Sequence, residues 1–342
     1  MMLIEYKINK KKGESNYNEI TYIYQTKKGG MITLTQLEYI IAVDNYRHFA
    51  TAAEKCFVTQ PTLSMQIKKL EEFLGVTIFD RSKQPIIPTD LGTKIIAQAR
   101  NVLKESQEID EIIKSDKNDL SGSLRIGIIP TLSPYLLPLF IGKFTKEYPE
   151  IDITIEELFT YEIESKLKKD ELDIGILVTP LKDKEIEETP LFYEEMMIYC
   201  GEKSNFFANG EVLLNDINTP DLWLLNDGHC FRNQVVNLCK MKQGTNNHPF
   251  KFDGGSLETI IKIIDREGGF TLIPELAGLD LIKKKSDQVL CFSDYTPLRE
   301  VAIVYTRHYT KRKIIDLIAK KIIEAIPKRM REKARGTIVE WR

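Results

Sequence analysis

FATAAEKCFVTQPTLSMQIKKLEEFLG, residues 49–75, packs two helical patterns and a tight turn into 27 residues. The first, around HFATAAEKC, carries Ala52 and Ala53, small enough for a neighbouring helix to approach closely. The second opens at Thr59, a suitable N-cap, with Pro61 in the first turn where its missing N–H costs nothing. Gly75 ends it. Leu63, Ile67, Leu70 and Leu74 recur at helical spacing and predict one continuous core stripe. Two short helices, the second with a polar outward face, predict a helix-turn-helix. Thr59, Gln60, Pro61, Thr62, Ser64, Met65, Lys68 and Lys69 are the candidate DNA-facing residues. Short polar side chains near a helix start reach base edges and phosphates, and lysines neutralise backbone charge. The competing reading is a plain solvated helix face.

Working outward, Leu37, Ile40, Ile41 and Val43 predict a helix before this pair. VTIFDRSKQPIIPTDLG (76–92) reads as a two-stranded wing ending in a helix cap at Thr89. A long helix should run from Asp90 to about Asp116, with Ile95, Ile96, Val102, Leu103, Ile109, Ile112 and Ile113 as its apolar positions. Residues 49–92 taken together resemble the winged helix-turn-helix of LysR-type bacterial transcription regulators. Met65 departs from the arginine that many relatives carry there. The resemblance implies a dimer formed through the long helix and a tetramer of two such dimers. It also implies promoter DNA and RNA polymerase as partners.

The composition suits this. At 342 residues, with 42% hydrophobic and 29% charged residues, the chain is long enough for two or three domains of ordinary globular type. The formal net charge of −2 gives no overall pull towards nucleic acid, so DNA binding must rest on local geometry. No apolar run is long enough to span a bilayer, and a cytoplasmic location is expected. Five irregularly spaced cysteines do not form a secreted disulfide framework. Residues 1–30 read as a disordered arm or a mis-assigned start.

Beyond a polar hinge at 115–123, strand-like and helix-like segments alternate. LRIGII, IDITIEEL, LDIGIL, EMMIYCG, DLWLLND, GGFTLIP and EVAIVYT read as strands, and the α/β alternation predicts mainly parallel sheets. The expected organisation is a winged helix-turn-helix at 31–89, a linker and hinge at 90–120, and an effector domain at 121–326. By the LysR resemblance the effector domain is periplasmic-binding-protein-like, with two Rossmann-like subdomains. One covers about 121–193 plus 301–326, the other about 194–300. Residues 327–342 read as a basic tail with a solvated end. Thr131, Thr160 and Cys230 fall at strand ends facing the crevice such folds use for ligands; a helix cap is the competing role for either threonine.

Within NDGHCFRNQVVNLC (226–239), helical spacing would separate Cys230 and Cys239 by about 13.5 Å of rise. A disulfide needs Cα atoms within roughly 7 Å, so none can form while the helix stands. Its formation would have to rebuild the segment; the competing reading is two unrelated thiols. Cys230, in the first turn, should favour a thiolate through the helix dipole, with His229 and Arg232 able to add charge. Cys239, beside Phe231, Val235 and Leu238, should be buried and unreactive. Cys56 reads as part of the helix-turn-helix core, and Cys200 and Cys291 as buried in strands. A metal sensor built on His229, Cys230, Cys239 and His248 has the wrong spacing for a zinc site, and no metal or cofactor is expected.

The GHC…C element, with IPTLSPYLLP, SLETI and GGFTLIP, resembles the peroxide-sensing members of the LysR-type family. That resemblance implies Cys230 as the peroxidatic and Cys239 as the resolving cysteine. Thr131, Thr160, His229 and Arg299 would form the peroxide pocket, and a glutaredoxin- or thioredoxin-type reductant would reset the switch. The remaining alternatives are a metabolite-responsive LysR-type regulator and a thiol peroxidase.

Overall fold

The computed structural model describes residues 31–116, 121–202, 212–217, 220–239, 250, 252, 254–306 and 312–342. Residues 1–30 and His248 lie outside them. The chain divides into two compact units, residues 1–95 and 96–342.

In the first unit, α1 (Leu34–Tyr46), α2 (Phe49–Lys55) and α3 (Gln60–Leu74) precede the wing strands β1 (Phe79–Asp80) and β2 (Ile87–Pro88), which pair antiparallel. Ile40, Val43, Ala52, Leu63, Ile67 and Leu70 are fully buried, while Leu74 is only half-buried. Thr33 caps α1 and Gly75 ends α3 at φ 69°. Thr59 occupies the N-cap position of α3 but makes no capping bond; its hydroxyl pairs with that of Thr62 at 2.9 Å. Glu71 ties α3 to the wing, accepting the Ile78 N–H at 2.7 Å and Arg81 at 2.9 Å. The helix α4 (Asp90–Asp116) opens with Thr89 capping Gly92, at 2.9 Å. Gly92 has no room for a side chain, since a Cβ would meet Ile78 O at 2.0 Å. Along α4, Ile96 and Ala99 are buried, whereas Val102 and Ile109 are exposed.

The second unit holds β3 (Gly122–Ile128), α5 (Ser133–Glu147), β4 (Ile151–Glu157), α6 (Thr160–Lys168), β5 (Ile174–Thr179) and the 15-residue β6 (Ile186–Cys200). Then come α7 (Cys230–Cys239), α8 (Leu257–Glu267), β7 (Phe270–Pro274), α9 (Glu275–Lys285), β8 (Val289–Leu290), β9 (Pro297–Thr306), α10 (Arg312–Ala325) and β10 (Thr337–Ile338). The strand order β4-β3-β5-β9-β6-β7 is mixed, not mainly parallel. β3 pairs parallel with β4 and β5, but β9 and β6 run antiparallel because the chain crosses on both strands. β6 pairs with β9 through residues 186–195 and with β7 through 196–200, so one strand serves two hydrophobic cores. One core gathers β3, β5 and α10 residues such as Ile126, Ile176 and Ile318; the other gathers Met196, Trp223, Ile260 and Phe270. DLWLLND is not a strand: only Leu222 bridges to Phe270. No helix of the described residues is long and apolar enough to cross a membrane.

Residues 327–342 pack rather than trail into solvent. Met330 and Trp341 join the first core and Val339 the second, while β10 adds parallel to β9. Arg329 and Arg335 pair with the buried Glu275. Apolar burial explains the docking: the basic charges point to acceptors and the three apolar side chains fill the cores. Met330→Ala should therefore lower the stability of the C-terminal unit by about 2–5 kcal/mol, the range for emptying a buried site, read as a lower urea midpoint with an unchanged slope.

Candidate functional site

Three helix starts and one strand converge on Cys230. Thr131 lies in the turn after β3, just before α5, and Thr160 is the first residue of α6; the N-cap positions are Leu132 and Phe159, so neither threonine is a cap. Cys230 opens α7 and Arg299 comes from β9. All four are buried, Arg299 completely.

Arg299 is held on every side. Nε donates to Glu194 Oε2 at 2.7 Å and Nη2 approaches the same oxygen at 2.6 Å. Nη1 donates to Thr131 Oγ1 at 3.0 Å and Nη2 to Thr131 O at 3.2 Å. Its guanidinium also lies 5.1 Å from the ring centre of Phe231. The β6–β9 register sets Glu194 directly opposite Arg299, so the sheet itself builds the ion pair.

Burial pushes the Cys230 thiol above its ordinary pKa, against the expectation that a first-turn cysteine would ionise freely. The Arg299 charge and the Thr160 hydroxyl act in the opposite direction. Arg232 contributes nothing there: it is directed at Asp227 Oδ1 (2.8 Å) and Leu225 O (2.9 Å). His229 packs edge-on against Phe159 at 4.8 Å, and its burial depresses its pKa, so it is a neutral ring rather than a source of charge. His229 Nε2 is buried without a hydrogen-bond partner, and Thr160 Oγ1 has none beyond the Cys230 sulfur it faces. A crevice bordered by His229 holds about 300 Å³ and is lined also by Pro130, Leu158, Phe159 and the carboxylates Glu157, Glu162 and Glu258.

Cys239 sits at the far end of α7, buried in the second core, whereas Cys230 belongs to the first. Burial pushes the Cys239 thiol up to about 12. At opposite ends of a ten-residue helix, the two Cα atoms are about 13.5 Å apart along the axis, and both thiols are free. The C-terminal segment braces this helix: Gln234 Nε2 donates to Val339 O at 2.7 Å and Asn237 Nδ2 to Glu340 O at 2.9 Å. Of the other thiols, Cys200 is buried in β6 and Cys56 half-buried, but Cys291 is exposed just past β8, not buried in a strand.

The helix-turn-helix residues belong to the first unit and the residues around Cys230 to the second. Thr59, Gln60, Pro61, Met65, Lys68 and Lys69 are exposed, and Thr62 and Ser64 are half-buried on α3. The family model described as "Bacterial regulatory helix-turn-helix protein, lysR family" matches residues 34–93, and that of the LysR substrate binding domain matches residues 117–320.

The chain belongs to the LysR family.

It is a LysR-type DNA-binding transcription regulator with a periplasmic-binding-protein-like C-terminal fold. A Haemophilus influenzae protein named hydrogen peroxide-inducible genes activator is 33% identical over 80% of this chain and 90% of its own length. A full-length OxyR variant from Pseudomonas aeruginosa is similar with a TM-score of 0.72 and 34% identity, covering 86% of this chain and 99% of that one. A mutant of Corynebacterium glutamicum OxyR, bound to hydrogen peroxide, is similar with a TM-score of 0.54 and 29% identity, covering 86% and 94%.

Two polar residues of this LysR-type site are absent from the sequence reading above: Glu194 and Gln234, both with zero exposure. Glu194 was not marked by the pattern, because along EEMMIYC Met197 and Tyr199 are buried as well as Met196 and Ile198. Nor was Gln234, since its partner is a backbone carbonyl 105 residues away.

The neutral His229 gives a pH prediction. Its folded pKa lies below the unfolded value, so the unfolded chain takes up the proton first as pH falls. Its contribution to stability is complete above the unfolded value of about 6.5 and declines below it. The wild-type urea midpoint should drop more between about pH 7.5 and pH 5.5 than that of His229→Gln; equal drops would contradict the assignment.

Proposed function

We propose that this LysR-type regulator senses hydrogen peroxide through a reversible Cys230–Cys239 disulfide that cannot coexist with α7. The observation that carries this is the buried Cys230, beside Arg299, the Thr160 hydroxyl and the unpartnered His229 Nε2, with a second thiol at the other end of one helix. A small neutral molecule suits the place. Peroxide both donates and accepts hydrogen bonds, matching Thr160 Oγ1 and His229 Nε2. The three carboxylates lining the crevice disfavour an anionic metabolite. The peroxide-bound relative supports the same reading.

The chemistry runs in two balanced steps. Cys230 gives its proton up, and the thiolate attacks one peroxide oxygen; the S–O bond forms, the O–O bond breaks, and the leaving hydroxide takes a proton to become water. Thr131 and Thr160 orient the peroxide, and Arg299 stabilises charge on the departing oxygen. The resulting sulfenic acid stays on Cys230 until α7 unwinds. The Cys239 sulfur then attacks it, forming the S–S bond and releasing the second water. Two electrons leave the thiols and reduce the peroxide, so each cycle needs a dithiol reductant of the glutaredoxin or thioredoxin type. The protein is a stoichiometric sensor, not a turnover enzyme. The proposed organisation is a DNA-binding domain at 31–89, a linker at 90–120 and a two-subdomain effector module at 121–326, onto which residues 327–342 pack. It acts in the cytoplasm as a homodimer or homotetramer on promoter DNA, with RNA polymerase as the downstream partner.

Unwinding α7 also breaks the Gln234 and Asn237 bonds to residues 339 and 340 and withdraws Phe231, Val235 and Leu238 from the second core. This couples the thiol chemistry to the packing of the whole unit.

A brief near-stoichiometric peroxide pulse, rapid alkylation and non-reducing peptide mass spectrometry should yield a dominant Cys230–Cys239 cross-link. Cys230→Ser should abolish it and the change in DNA footprint while leaving DNA binding intact; Cys239→Ser should leave a trapped sulfenic acid. Free thiols in the wild type, or random linkage to Cys56, Cys200 and Cys291, would sink the reading. For DNA, α3 presents Thr59, Gln60, Pro61, Thr62, Ser64, Met65, Lys68 and Lys69. Lys68→Ala and Lys69→Ala should each weaken specific and non-specific binding alike and reduce the salt slope by about 1.

A further inference from the structure

We propose that Glu194 is a positioning residue of the peroxide site, orienting the Arg299 guanidinium and partly neutralising it where it faces Cys230. The inference rests on the peroxide reading above and concerns a residue outside the set of four that the sequence assigned to the pocket.

The sheet makes the pair unavoidable. Glu194 and Arg299 are register partners on β6 and β9, and both side chains have zero exposure. One carboxylate oxygen takes both Nε and Nη2 of Arg299. The other, Oε1, accepts the Leu276 N–H at 3.1 Å, in the first turn of α9. There the backbone N–H groups have no partner within the helix, and the helix dipole favours a carboxylate. Glu275, the preceding residue and also fully buried, returns the tie: its Oε2 accepts the Glu195 N–H at 3.0 Å. Residues 194–195 of β6 and 275–276 of α9 thus hold each other by two side-chain-to-backbone bonds in opposite directions. Glu194 has no freedom to follow Arg299; Arg299 must follow Glu194.

The consequence at Cys230 is geometric and electrostatic. With Nε and one edge of Nη2 committed to Glu194, Nη1 is left aimed at Thr131 Oγ1 and the plane lies against Phe231. A guanidinium without that anchor would lose its heading towards Thr131 and its fixed place beside Cys230. The carboxylate also sets how much positive charge Cys230 feels. A fully paired arginine stabilises a thiolate less than a bare one, which keeps a buried thiol protonated and guarded from unwanted oxidants. A buried ion pair is weak evidence for stability, since apolar residues of like volume often serve as well. Orientation and charge balance are what such replacements could not reproduce.

The charged groups facing the site are few. Arg299 comes from β9, Glu194 and Glu195 from β6, and Glu275 from α9, where Arg329 and Arg335 of the C-terminal segment face it. From the crevice side come Glu157, Glu162 and Glu258, and α7 adds the neutral His229. Removing the Glu194 charge therefore leaves Arg299 as the dominant change at Cys230.

Glu194→Gln keeps the length and one acceptor oxygen, which can serve Leu276 or Arg299 but not both, and removes the charge; Glu194→Ala removes the acceptors and the charge. The thiolate of Cys230 is read as the 240 nm absorbance difference between each protein and its Cys230→Ser counterpart, titrated with pH on the full chain. Glu194→Gln should move the midpoint to lower pH; one unit would raise the thiolate fraction about tenfold below the midpoint. The same proteins then receive the peroxide pulse. Glu194→Gln should form the cross-link at least as fast as wild type near neutral pH, and Glu194→Ala more slowly at every pH. Circular dichroism and DNA binding of the reduced proteins check folding, and the glutamine variant carries the decision if the alanine variant does not fold. A Glu194→Gln midpoint equal to or above that of wild type overturns the inference. A shifted midpoint with no cross-link in any protein would leave Glu194 in this role and remove the peroxide reading instead.

Discussion

The C-terminal unit turns on a mechanical constraint: ten residues of helix keep Cys230 and Cys239 apart. While α7 stands, the thiols occupy different hydrophobic cores and face different surroundings. Joining them is a matter of unfolding, not of moving two side chains together. Burying Phe231, Val235 and Leu238 in the second core and bonding Gln234 and Asn237 to the C-terminal segment stabilise the reduced arrangement. A disulfide must overcome both contributions, so oxidation and repacking are one event.

The electrostatics follow from where that helix begins. A cysteine at a helix start is expected to ionise readily, but Cys230 is sealed in by three segments and burial dominates. The Arg299 charge opposes that burial, and Arg299 is itself paired with a buried glutamate across the sheet. Thr131 shares that arginine, so the groups that would bind peroxide and the groups that tune the thiol form one connected set. Cys239 is buried in the second core, and burial alone raises its thiol's pKa.

Much of this was legible in the sequence. The helix-turn-helix could be read because its signals are local: the stripe Leu63, Ile67, Leu70, the proline of α3 and the left-handed Gly75. The separation of the two cysteines followed from helix geometry alone. What could not be read depends on distant partners. The antiparallel β6 and β9 arise from chain crossings that alternation does not reveal. DLWLLND is apolar enough for a strand but meets a neighbour only at Leu222. Residues 327–342 look like a solvated basic tail because their three buried apolar residues are scattered among charges, and the partner of those charges, Glu275, lies far away in sequence. Cys291 reads as a strand residue, yet β8 stops one residue short of it.

The central claim is that peroxide oxidation and the loss of α7 are inseparable. Hydrogen exchange on the full chain, reduced and after a peroxide pulse, tests it most directly at the amides of residues 231–239. The account predicts protection in the reduced protein and its loss, together with that of the C-terminal segment, in the fraction carrying the Cys230–Cys239 bond. Protection that persists across 231–239 in the cross-linked fraction would contradict it.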